Sequence, residues 1–190
     1  MTFASGIASA VFGVSRAAGR FAHDRRGISA VEFALLFPVM LTLYLGGVET
    51  SQGVAADRKV ELIAHAIADL TSQYTNVTNA DMSNILNAGA AIIAPYSAAN
   101  LQITVAEVSI DGSGNATVAW SDTLNGTALA VGSSVTVSSS LAVPNTSLVL
   151  AQVKYNYNPT YGYVLTGSLK LSDQTFMRPR DSASISRSAS

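Results

Sequence analysis

An α+β fold is what this chain of 190 residues predicts: an N-terminal transmembrane helix, extended into an amphipathic helix packed on an antiparallel β-sheet head. Three observations carry that expectation. No charged residue appears from Phe33 to Val48. Beyond it, Val60, Ile63, Ile67, Leu70 and Tyr74 recur at steps of three and four, the apolar face of a helix. Further on, Leu101, Ile103 and Val105, and later Val149, Ala151, Val153, Tyr155 and Tyr157, alternate with polar residues as half-buried strands do.

The first element is the span. Counted from Ile28 to Val48 it holds about 21 residues, or roughly 31 Å of helix at about 1.5 Å per residue, enough to cross a bilayer core once. Arg16, Arg20, Arg25 and Arg26 precede it against Asp24 alone, so this end is expected to stay in the cytoplasm and everything after Glu49 to lie outside. Pro38 removes one helix hydrogen bond and is expected to kink the span. Glu32 is a carboxylate at the mouth of the apolar run, where it requires a partner or headgroup depth. Residues 1–27 form a basic leader, with Phe3, Ile7 and Val11 at four-residue spacing, and are set aside from the fold.

The head is expected over 49–180. A helix from about Thr50 to Gln73 continues the span outward, with Asp57, Arg58, Glu61, His65 and Asp69 off its apolar face. Thr78-Asn79-Ala80-Asp81 caps a second helix carrying Met82, Ile85, Leu86, Ala90 and Ile93 and ended by Pro95. In the first strand the apolar parity changes after Val105, from Leu101, Ile103 and Val105 to Val108 and Ile110, which predicts a bulge or sheet change near Ala106-Glu107. Asp111-Gly112-Ser113-Gly114 turns that strand into Ala116, Val118 and Trp120. Ser121 to Ser134 reads as a loop, and Val135-Thr136-Val137 as the start of another strand ending before Pro144. After the strand through Val149 and Tyr157, Asn158-Pro159-Thr160-Tyr161-Gly162 reverses the chain, and a last strand includes Thr175 to Met177. Tyr155, Tyr157, Tyr161 and Tyr163 cluster there as a candidate contact surface, although strand propensity explains them too. The Ser/Ala-rich residues 181–190 are expected to form a disordered tail.

Composition excludes several classes of function. Without cysteine, thiolate metal sites, disulfides and thiol nucleophiles are out. Removal of the leader takes away four arginines and Asp24, leaving seven basic against eleven acidic residues, a net of about −4 with no patch for nucleic acid. Glu61, His65 and Asp69 lie four apart on one helix face, but a solvated face explains them better than a metal site. Neither a G-x-S-x-G elbow nor a P-loop or dinucleotide fingerprint occurs, so no catalytic residue, metal or cofactor is expected.

Around the span, Arg25-Arg26-Gly27-Ile28 with Glu32 at the fifth position from Ile28 resembles a prepilin processing site, and Val31-Glu32-Phe33-Ala34-Leu35-Leu36-Phe37-Pro38 resembles the opening of the TadE/TadG-like proteins of the tight-adherence (Tad) pilus system. Phe176-Met177-Arg178-Pro179-Arg180 is similar to how these chains close. The resemblance implies a non-enzymatic, pilin-like pseudopilin in the inner membrane, with its C-terminal domain in the periplasm. It further implies cleavage after Gly27 by a prepilin peptidase, and partners among other pilins, pseudopilins and assembly-platform proteins. Two other readings stay open: an uncleaved, membrane-anchored periplasmic binding module, and a secreted adhesin or hydrolase released by signal cleavage near Ala56.

Overall fold

A computed structural model of the chain describes residues 26–159, 162 and 167–188, and the chain divides into two compact units at Gly47/Val48. The expected α+β architecture is what forms. Helix α1, Arg26–Ser72, belongs to both units.

In the first unit, α1 is apolar on every side. Its apolar side chains from Ile28 to Tyr44 are all exposed, and an 18-residue window of mean hydropathy 2.0 has no buried residue. The helix continues through Pro38, where Ala34 loses its backbone donor. Thr42 Oγ1 donates to the Pro38 carbonyl at 2.8 Å.

The second unit is built on a four-stranded antiparallel sheet of order β3-β2-β4-β5, from β2 (Leu101–Ile110), β3 (Ala116–Leu124), β4 (Thr146–Tyr157) and β5 (Leu169–Met177). One sheet face carries Leu101, Ile103, Val105, Val149, Ala151, Val153, Tyr155 and Tyr157, and joins the C-terminal half of α1 and helix α2 (Asn79–Ile92) in one core. The buried face of α1 is Ala56, Val60, Ile63, Ala64, Ile67, Ala68 and Thr71. Leu70, expected on that face, is instead exposed at 37%. Alanines at 56, 64 and 68 face the sheet with no bulk to hold the helix off it, and this shifts the stripe by about a residue relative to the large apolar side chains. The α2 cap forms as expected: Thr78 Oγ1 accepts from the Asp81 N–H at 3.2 Å, and the Asp81 carboxylate accepts from the Thr78 N–H at 3.1 Å. The Thr78 hydroxyl, which donates to the same carboxylate at 2.6 Å, and then the Thr78 N–H hold the Asp81 carboxyl below its usual range.

A second, smaller core lies on the opposite sheet face. There Ala106, Val108, Ile110, Ala116, Val118, Leu148 and Leu150 are covered by Leu129, Val135, Val137, Leu141 and Phe176. The two cores explain the parity change along β2. Its pairing with β4 runs unbroken from Leu101 to Ile110, so its side chains alternate throughout; what changes after Val105 is which face is covered. The expected bulge exists in the β2–β3 pairing, between Glu107 and Val108, where β3 places Ala119 between the partners Trp120 and Val118.

Other expectations need correcting. β3 continues through Ser121 to Leu124, where a loop was expected. Residues 135–137 form no strand: this stretch is the lid of the second core, held to the β3 margin by the Val135 N–H on Ala116 O at 3.0 Å and by an isolated Thr117–Ser134 bridge. Tyr155 and Tyr157 are buried beside Tyr96 rather than displayed, at ring separations of 6.4 and 5.8 Å, while Tyr161 and Tyr163 lie outside the described residues. Their parity explains this, because odd-numbered positions of β4 face α1. The Asp111 hairpin is as expected: its carboxylate accepts from the Ser113 and Asn115 N–H groups at 2.8 and 2.9 Å, and Gly114 takes the positive φ of 84° that the turn demands.

The largest correction concerns residues 181–190. As far as Ser188 they are ordered: strand β6 (Ser186–Arg187) pairs in parallel with β1 (Asn76–Val77), and Ile185 is fully buried. A polar Ser/Ala composition hides a single apolar anchor whose site is built by distant strands.

Candidate processing and assembly site

Among the residues expected to matter for processing, Arg25 lies outside the described residues and Arg26 opens α1. Gly27 follows in the first turn, and a Cβ there would meet nothing within 4 Å. Packing therefore gives no reason for glycine, although glycine costs about 1 kcal/mol in a helix interior relative to alanine. Ile28 is 58% exposed. Glu32, four residues on, shares its helix face one turn, or about 6 Å, along the axis. Its exposed carboxylate has no hydrogen bond or ion pair among the described residues, and it sits between the exposed Val31 and Phe33.

That geometry has a chemical consequence. If the peptide bond after Gly27 is cut, the new amine of Ile28 becomes the first residue of α1, within one turn of the Glu32 carboxylate. A carboxylate at the centre of a bilayer costs about 2.5–3.5 kcal/mol on insertion scales, and a paired amine offsets that cost. Pro38 comes a turn and a half further along the helix.

Elsewhere several ionisable residues are committed to the fold. Asp69 is paired with Arg180 and accepts from Gln73 Nε2 at 3.0 Å, and His65 Nδ1 is 3.4 Å from Thr175 Oγ1. Among the described residues no group of three His, Asp or Glu is placed to hold a metal. The buried cluster that sequence reasoning missed fixes the C-terminus. Glu107 accepts the Ile185 N–H at 2.7 Å, and Trp120 Nε1 donates to the Ile185 carbonyl at 2.7 Å. Arg187 Nε donates to Asp122 at 2.7 Å, and its Nη2 donates to Asn79 Oδ1 at 2.7 Å. Burial pushes the Glu107 carboxyl above its usual range, against the opposing pull of the Ile185 N–H, Ser147 and Trp120. One signal could have exposed this cluster: Glu107 continues the 101, 103, 105 parity, so a carboxylate points into the helix-facing core.

The comparison with known families falls on this helix. Residues 27–69 match the family model described as TadE-like protein. The match runs from Gly27 to Asp69, within the bounds of α1, and the strands lie outside it. No curated protein and no solved structure matches the chain.

Proposed function

We propose that the chain is a TadE-like pseudopilin, a non-enzymatic structural and assembly subunit for biogenesis of the Tad (Flp) pilus. The observation that carries the reading is the coincidence, on one helix, of the TadE-like match with an exposed, uncharged apolar surface whose only carboxylate stands five positions after Gly27. Water does not tolerate an apolar surface of that extent on an isolated helix, and a bilayer core or neighbouring apolar helices would cover it.

On this reading the chain inserts once in the inner membrane, with the arginine-rich end in the cytoplasm and the sheet head in the periplasm. A prepilin peptidase cuts after Gly27, and the free amine of Ile28 engages Glu32 within the chain or on a neighbour. The helix from Ile28 onward then packs laterally against pilins, other pseudopilins or platform proteins. Glu32 supplies register: an apolar helix can slide along another, but a carboxylate that must meet an amine fixes where it stops.

The test is the N-terminal sequence and intact mass of the protein recovered from cell membranes. A start at Ile28 is expected, and a Glu32→Gln variant should then be processed but fail to support pilus assembly. An intact N-terminus would favour the uncleaved anchored binding module, and a start near Asp57 would favour a secreted domain.

A further inference from the structure

The outer face of the sheet, away from α1, is divided in two. One end is closed by the lid of the second core; the other is open and wholly polar. In register across it lie Thr123, Thr104, Gln152 and Gln174, then Gln102, Lys154 and Ser172, then Asn156 and Lys170. Two hollows of about 260 and 190 Å3 share Gln152 and Lys154, one lined by β4 and β5 and the other walled by the loop at Gly126, Thr127 and Leu129. Gly126 lets that loop pass close: a Cβ there would sit 2.8 Å from Thr123 Oγ1. Adjacent strands are about 4.8 Å apart, so a four-strand row forms a trough about 14 Å across, open at the β5 side.

Two lysines stand on this trough. The chain has three lysines. Lys59 donates to the Ile92 carbonyl, and the other two, Lys154 and Lys170, stand on the open face as diagonal neighbours about 7–8 Å apart. Neither is in an ion pair among the described residues, and none of the nine side chains in the three rows is acidic, in a head that is acidic overall; Asp173, of the opposite parity on β5, borders the larger hollow. Arg180 and Arg187, in contrast, are paired with Asp69 and Asp122.

We infer that this trough binds an extended anionic polysaccharide, carboxylates on Lys154 and Lys170 and hydroxyls on the amides of Gln102, Gln152 and Gln174. The amides and hydroxyls supply donors and acceptors together, which a hydroxyl-rich ligand uses and a lipid tail does not. No aromatic ring lies on the rows for bases to stack on, which separates the face from single-stranded nucleic-acid sites. The length and open end of the trough suit a polymer rather than an enclosed small molecule. The inference rests on the head lying outside the membrane but not on cleavage after Gly27.

The experiment uses the full chain in detergent micelles, titrated with polygalacturonate, with neutral dextran and with glycerol 1-phosphate as a soluble lipid headgroup, at low and high salt. Saturable binding of polygalacturonate that weakens with salt is expected, with dextran and glycerol phosphate much weaker. Lys154→Gln combined with Lys170→Gln should weaken it roughly tenfold, whereas Arg178→Gln, an exposed cation outside the trough, should leave it unchanged. Equal binding by the double variant, equal binding of glycerol phosphate, or no polygalacturonate binding at low salt would each overturn the assignment. Because both lysines are exposed, the double variant should keep the wild-type melting temperature. The N-terminal sequence of the same preparation reports separately on processing.

Discussion

Shortening the chain after Ser184 should destabilise the head far more than the loss of six polar-looking residues suggests. Ile185 is fully buried, and an Ile→Ala change at such a site costs about 2–5 kcal/mol through lost transfer energy and the cavity left behind. Truncation removes more: the Glu107 carboxylate loses the Ile185 N–H, and the Trp120 indole loses the Ile185 carbonyl. Each orphaned group costs about 1–3 kcal/mol, toward the low end where water can enter the vacated channel. The parallel β1–β6 pairing and the Arg187–Asp122 ion pair disappear as well. A total of about 5 kcal/mol rivals the whole stability of a small domain. Ile185→Ala alone, at about 3 kcal/mol, should lower the melting temperature by roughly 10 °C. The assay is built in, because Trp120 is the single tryptophan of the chain and its ring nitrogen touches the strap. Thermal unfolding followed by tryptophan fluorescence in micelles should show the lowered midpoint for Ile185→Ala, and the truncated chain should emit further to the red even before heating. A midpoint within about 2 °C of wild type for both variants, with unshifted emission, would refute the reasoning and return residues 181–190 to the status of a loose tail.

Glu107 predicts a pH dependence. Its folded-state carboxyl is raised by burial, so the folded state holds its proton over a window in which the unfolded chain has released it. Its contribution to stability is fully present below the unfolded carboxyl value and is lost as pH rises through the folded one; Glu107→Gln should flatten that part of the melting temperature against pH curve, and an unchanged slope would show that another group titrates. Gly89 of α2 packs between α1 and β2, and an added Cβ would stand 2.7 Å from Ile103 Cδ1 and 2.9 Å from Ile67 Cδ1. Gly89→Ala should therefore lower stability by about 1 kcal/mol net, since overpacking of about 1–3 kcal/mol exceeds the gain of about 1 kcal/mol in helix propensity; urea unfolding that shows a more stable variant would mean the two isoleucines move aside.

What was legible in the sequence was written in local chemistry. The Thr78–Asp81 cap, the Asp111 hairpin and the alternation of β2 and β4 each depend on residues a few positions apart, and each appears where expected. Gly27, Ile28 and Glu32, the residues proposed for processing, likewise form one short string. What was not legible depends on partners far along the chain. The parity change in β2 looked like a property of that strand, yet it records two covers on opposite faces, one brought by α1 and one by the segment from Leu129 to Leu141. Val135 and Val137 have the alternation of a strand, but they form the second cover and bond to β3 over only a few residues. Ile185 is the sharpest case. It has no apolar neighbour in sequence, and its site requires Glu107 from β2 and Trp120 from β3, some 78 and 65 residues away. A lone carboxylate on the core-facing parity of a strand is therefore a cue worth reading in itself: a buried acid needs a donor, and if none is close in sequence, a distant segment must return to supply it. Here the returning segment is the C-terminus, and the Arg180 N–H on the Ser72 carbonyl caps the last turn of α1 on the way. The strap thus closes the head at the Ser72 end of α1, so the proposed cut after Gly27 would fall outside the bonds that hold it.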